Sequence, residues 1–176
     1  MMFRPLVLAM GVFAAYMAQA QTTHSPTTTT GPTTTGPTGI APSRLVRAEA
    51  PEAMVALLQE LGYRAELTTD GQGDPKIKSA AGGANFSIYF YGCTDHRDCR
   101  SVQFSAGFDT KGGVDLLRMN DWNRNNRYGQ ASLDEEDDPY IEMDILMQGG
   151  LSRDLFEANL SLWDNMLADF QRHIDW

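Results

Sequence analysis

The chain has 176 residues, with 14 Lys and Arg against 23 Asp and Glu for a formal net charge of −9, 42% hydrophobic residues and two cysteines. Such an acidic balance repels a phosphate backbone and argues against nucleic-acid binding, while suiting a soluble surface. Two cysteines are too few for a disulfide scaffold, and the length beyond the first 43 residues matches one ordinary domain.

Residues 1–20 carry one basic residue, Arg4, then an apolar run from Leu6 to Met17 and the small-x-small ending Ala18-Gln19-Ala20. That pattern predicts a signal peptide cleaved after Ala20, a mature chain starting at Gln21, and a periplasmic or secreted location. A membrane anchor is the competing reading, but the run is shorter than the roughly 20 residues that cross a bilayer, so no membrane span is expected. Cleavage removes Arg4 and no acid, leaving 13 basic against 23 acidic residues, a charge of −10. Residues 21–43 are almost entirely Thr, Pro, Gly and Ser, which bury too little apolar surface to offset the entropy of ordering. Pro26, Pro32, Pro37 and Pro42 make them a semi-rigid linker, leaving residues 44–176 as the domain.

Pro51 opens an apolar-periodic run through Leu61 that Gly62 stops, predicting a helix over 51–61. Tyr63 to Thr68 and Lys76 to Ala80 read as strands around the turn Asp70-Gly71-Gln72-Gly73-Asp74-Pro75, and Gly82-Gly83 reverses the chain again. Phe86, Ile88 and Phe90 alternate with Tyr89 and Tyr91, and Val102, Phe104, Ala106 and Phe108 recur at every second position, giving two more strands. Val114 to about Asn125 reads as a helix with Leu116, Met119, Trp122 and Asn123 near one face. Tyr128 to Leu133 and Tyr140 to Met147 flank an acidic turn, with Ile141, Met143 and Ile145 on one face and Glu142 and Asp144 on a wet one. Last, Ser152 caps a helix whose Phe156, Leu160, Trp163, Leu167, Phe170 and Ile174 form one apolar stripe. Alone that stripe resembles a coiled-coil seam, but packing on the chain's own sheet needs no partner. The order α-β-β-β-β-α-β-β-α predicts an α+β domain, an antiparallel sheet with helices packed on it.

The run Met119 to Ile145 (MNDWNRNNRYGQASLDEEDDPYIEMDI), with Gly71 to Pro75 (GQGDP), Tyr89 to Cys93 (YFYGC) and Ala106 to Asp109 (AGFD), resembles the YbjN-like domains over about Ala48 to Trp176. The resemblance implies a fold like that of type III secretion chaperones and a regulatory role in bacterial sensory transduction. It brings no agreed biochemical activity, and through the chaperones it suggests a homodimer.

Cys93 and Cys99 bound a short polar loop between adjacent strands. After export such a pair makes a disulfide; the alternative is a soft-metal site from Cys93, Asp95, His96 and Cys99. The C-x5-C spacing is not that of thioredoxin-type catalysts. Asp134, Glu135, Glu136, Asp137 and Asp138 form a carboxylate tip that is solvated, or holds a cation or a basic partner, without the spacing of an EF-hand loop. Asn120, Asn123 and Asn126 line one side of the middle helix, where their amides either satisfy backbone groups or, with Trp122, Arg124 and Arg127, line a small polar groove. There is no G-x-S-x-G, H-E-x-x-H or P-loop pattern, and inside the domain only His96 and His173 offer imidazoles. No cofactor or resident metal is expected. The expectation is a non-enzymatic module that binds another protein, the alternative a small-ligand or cation sensor using the acidic turns.

Overall fold

The computed structural model describes residues 45–176. The expected signal peptide and linker, residues 1–20 and 21–43, lie outside the described residues.

Pro51 occupies the first turn of α1 (Pro51–Glu60), where its fixed φ suits a helix start and its missing N–H costs nothing. The chain continues through β1 (Arg64–Thr69), β2 (Pro75–Ala81), β3 (Ala84–Tyr91), β4 (Ser101–Gly107), α2 (Leu116–Asn125), β5 (Gln130–Leu133), β6 (Pro139–Leu146) and α3 (Arg153–His173). The predicted order of elements and the α+β class are both met. All strand pairs are antiparallel, in the spatial order β1-β2-β3-β4-β6-β5. The connection through α2 sends β5 to the outside and lets β6 return beside β4.

One face of the sheet is apolar because every second residue is: Ile77, Phe86, Ile88, Phe90, Val102, Phe104, Ile141, Met143 and Ile145 are all buried. The whole α3 stripe from Phe156 to Ile174 is buried in the same core, so the seam is absorbed by its own domain. Trp163, fully buried, stands edge-on to Phe86 and to Phe104, at 5.7 Å from each. From α1 come Met54 and Leu58, and from α2 come Met119 and Trp122, whose indole packs edge-on against Phe170 at 5.0 Å. Among the described residues no helix is long and apolar enough to cross a membrane.

Two boundaries differ from expectation by more than one residue. The middle helix begins at Leu116 rather than Val114, because Asp115 serves as N-cap and accepts from the Leu117 amide, while the Val114 amide donates to the Asp137 carbonyl. Leu116 accordingly points to solvent instead of joining Met119 and Trp122. β5 starts at Gln130 rather than Tyr128, because the Gly129 carbonyl accepts from the Trp122 indole N–H and leaves the ladder.

His173 is half-buried and ties α3 to α2. Its Nε2 donates to the Arg118 carbonyl at 2.7 Å, and its ring lies 5.5 Å from Trp122. Tyr63, just before β1, donates its hydroxyl to Asp164 on α3 at 2.5 Å. Burial first, then the Asp164 carboxylate, push the Tyr63 phenol far above its ordinary range. A pKa raised on folding stabilises the domain fully below the free tyrosine value of about 10, and that contribution fades as pH rises through the folded value. Denaturant midpoints should therefore fall above pH 10, and Tyr63→Phe should flatten that fall; equal slopes for both proteins would refute the assignment.

Candidate functional site

Cys93 and Cys99 are joined as a disulfide across the loop between β3 and β4. Inside the ring, Thr94 and Arg97 exchange two backbone hydrogen bonds around Asp95 and His96, both with positive φ (50° and 58°), as a type I′ turn requires. His96 Nδ1 lies 2.8 Å from Asp74 Oδ1, and the His96 ring sits against Gly73, where an added Cβ would come within 3.2 Å of it. The loop is thus hooked to the β1–β2 turn, and its cysteines and His96 are engaged with other partners than a metal. Closing so short a ring contributes about 2 kcal/mol on the chain-entropy model. The unreduced protein should weigh two hydrogens less than its reduced form by intact mass, and two free thiols would contradict the pairing.

The predicted binding residues fall into two places at opposite ends of α2, a 10-residue helix of about 15 Å. At its C-terminal end Trp122 turns into the core rather than toward solvent. Asn123 donates to the Ala131 carbonyl (2.9 Å) and accepts from the Ala131 amide (2.8 Å), so one side chain acts as a strand partner for the outer edge of β5. Asn126 donates to the Trp122 carbonyl inside its own helix. Asn123, Asn126 and Arg127 do border a shallow hollow of about 530 Å³ with Tyr128, Glu142 and Asp144, and Arg127 lies over the Tyr128 ring; Arg124 is exposed but does not border it. Asn123→Ala should lower stability by about 1–2 kcal/mol, the cost of stranding two backbone groups. A denaturant titration within error of the parent would show that water replaces the amide at no cost.

At the other end the acidic turn is built into the fold. Asp134 Oδ1 accepts from the amides of Glu136 and Asp138, Asp138 Oδ1 accepts from the amide and hydroxyl of Thr110, and the Asp137 carbonyl accepts from Val114. Glu135, Glu136 and Asp137 point outward. Among the described residues no group of three His, Cys, Asp or Glu side chains is placed to hold a metal ion.

A further concavity lies elsewhere, on the sheet face opposite the helices. Because strand residues alternate, the same spacing that buries Ile88 and Phe104 turns Ser87, Tyr89, Gln103, Ser105, Tyr140 and Glu142 outward. Of these, Ser87, Tyr89, Ser105 and Tyr140 line a groove of about 580 Å³ that also reaches Arg64, Lys78, Asn85, Asp109 and Asp138. Gly107 makes room there: a Cβ would lie 2.6 Å from the Tyr140 ring, which rests against the glycine. The chain between residues 50 and 176 matches the family model described as "YbjN: Putative bacterial sensory transduction regulator". The chain belongs to the YbjN family. No curated protein and no solved structure matches it, so the likeness to secretion chaperones rests on the resemblance alone.

Charge is unevenly spread over the open face of this YbjN domain. Arg64, Lys76 and Lys78 line the β1–β2 side, with Glu66 opposite Lys78, and Glu142 and Asp144 line β6. Lys76 Nζ donates to the Tyr89 hydroxyl and lies 4.4 Å from its ring centre, while the Ser105 hydroxyl donates to Glu142. The Tyr91 and Tyr140 phenols are held above the usual range, first by burial and then by the carboxylates nearby, Glu142 for Tyr91 and Asp134 for Tyr140. The sequence placed Gly107 and Tyr140 inside the family motifs and Tyr89 and Tyr91 opposite the apolar face of their strand, but it did not bring them together as one surface of this YbjN domain.

Proposed function

We propose that this protein is an exported, non-enzymatic regulator that acts by binding another protein through the open face of its sheet. The observation that carries the reading is that face itself: a six-stranded sheet with helices on one side only, whose other side presents three tyrosines among Ser, Gln and Asn side chains. Tyrosine is enriched in protein interfaces, because one rigid ring supplies both contact area and a hydroxyl. Membership of a family described as sensory transduction regulators supports a protein partner. The export half of the proposal rests on residues 1–20 and predicts Gln21 as the first residue of the mature chain by N-terminal sequencing.

Affinity capture from the envelope fraction, with Tyr89→Glu/Tyr91→Glu as the parallel bait, tests the binding half. A partner held by the parent and lost by the variant supports it, and identical captures defeat it. The groove's reach to Asp109 and Asp138 favours a second reading, a small polar ligand or cation sensed at the same place. A ligand bound only by the folded state raises the melting midpoint by mass action, so a midpoint unmoved by millimolar calcium removes the cation form of that reading.

A further inference from the structure

Four charged side chains line the groove on the open face, and among the described residues none of them is in an ion pair. Arg64 and Lys78 stand on β1 and β2, where Glu66 faces Lys78 across the register without closing a pair. Asp109 and Asp138 stand just past β4 and just before β6, side by side because the Phe108 amide donates to the Pro139 carbonyl. Arg64 donates to the Asn85 side chain at 2.7 Å and keeps its other N–H groups for solvent; Asp138 engages only Oδ1, with Thr110. The groove is therefore positive at one end and negative at the other.

Between the two ends the floor is neutral. Ser87 and Ser105 are cross-strand partners, with Asn85 beside them, and hydroxyls and amides both donate and accept, as peptide groups require. Lys78, Ser87 and Ser105 share one row of the register, and Asp109 lies four residues beyond Ser105. Two strand gaps of about 4.8 Å and four residues of about 3.4 Å put the Cα atoms of Lys78 and Asp109 about 17 Å apart. A flexible lysine stem leaning inward shortens the gap between the charges to roughly 12 Å, the length of three or four extended residues at about 3.4 Å each.

We propose that the groove takes a free peptide of three or four residues by its two charged ends, the ammonium at Asp109 and Asp138 and the carboxylate at Arg64 and Lys78. This rests on the small-ligand reading of the groove and gives it a ligand class. A volume of about 580 Å³ suits it, since small-ligand sites run from roughly 300 to 1,000 Å³. A ligand of one sign meets repulsion at one end of the groove, whereas a chain with both ends free meets its complement at each. Because the neutral floor offers hydrogen bonds and no deep apolar pocket, the ends are read more strictly than the side chains.

Tetra-alanine with free ends is the probe, titrated into the nitrogen-15-labelled mature chain and followed by amide shifts. Saturable shifts are expected at Lys78, Ser87 and Ser105. Acetylating the amino end, or amidating the carboxyl end, should each weaken binding by about 5-fold, the worth of one solvent-facing charge pair. Lys78→Gln should weaken the free peptide by a similar factor and leave the amidated one unchanged, and Asp109→Asn should do the same with the acetylated one. A doubly blocked tetra-alanine that binds as tightly as the free peptide overturns recognition of the ends while upholding a groove that binds small polar ligands. No saturable shift from either peptide at 10 mM defeats both. Equal weakening of the free and amidated peptides by Lys78→Gln would mean that lysine shapes the groove without meeting the carboxylate, and also overturns the proposal.

Discussion

Replacing Trp163 with alanine is expected to lower stability by about 3–5 kcal/mol, the largest loss from any single core substitution in the domain. The indole is fully buried, meets Phe86 and Phe104 edge-on, and joins the middle of α3 to the two central strands β3 and β4. Truncation forfeits its transfer energy and opens a cavity that the rigid rings of Phe86 and Phe104 close only in part. In a domain of this size the loss corresponds to roughly 10–20 °C in melting midpoint, measurable by circular dichroism. Trp163→Phe should cost far less. The Trp163 indole N–H is buried without a hydrogen-bond partner, so phenylalanine gives up ring volume but also removes an unpaid donor. A midpoint for Trp163→Ala within a few degrees of the parent would mean that the stripe on α3 is not what holds the helix to the sheet.

Much of the architecture was legible because period carries it. Alternation in β3, β4 and β6 and the 3-4 spacing in α3 each name a buried face, and each face is where expected. The boundaries that moved did so for reasons periodicity does not encode: Asp115 found a cap, and the Gly129 carbonyl found the Trp122 indole. Site residues were harder to read for the same reason. Asn123 and the acidic turn stand out in composition because they solve local backbone problems, an unpaired edge and a tight turn, and an unusual residue with a structural task resembles one with a binding task until its partners are seen. The open face was hidden in the opposite way. Its side chains are ordinary surface residues drawn from five strands, and only the register of the sheet gathers Lys78, Ser87, Ser105 and Glu142 into one row.

Gly113→Ala is expected to be the most damaging change outside the core, at about 3 kcal/mol, and its neighbour supplies the control. Gly112 and Gly113 both have positive φ (91° and 71°), where any L-residue is strained by roughly 1 kcal/mol. They differ in surroundings. A Cβ on Gly112 meets nothing within 4 Å, whereas one on Gly113 would lie 2.6 Å from Asp137 Cβ and 3.2 Å from the Asp137 carbonyl oxygen. Neither contact is with the far end of a flexible side chain, so relief requires the acidic turn to move. That motion pulls on the Val114 to Asp137 hydrogen bond and, one residue further, on the two bonds from Thr110 to Asp138 at the lip of the open groove. Gly112→Ala should therefore cost about 1 kcal/mol in a denaturant titration, and Gly113→Ala about three times as much, with faster exchange of the Thr110 and Val114 amides. Equal costs for the two would mean that the turn yields freely and that Asp134 to Asp138 do not brace the groove; a larger cost at Gly113 with those amides undisturbed would place the strain in the glycine's own backbone.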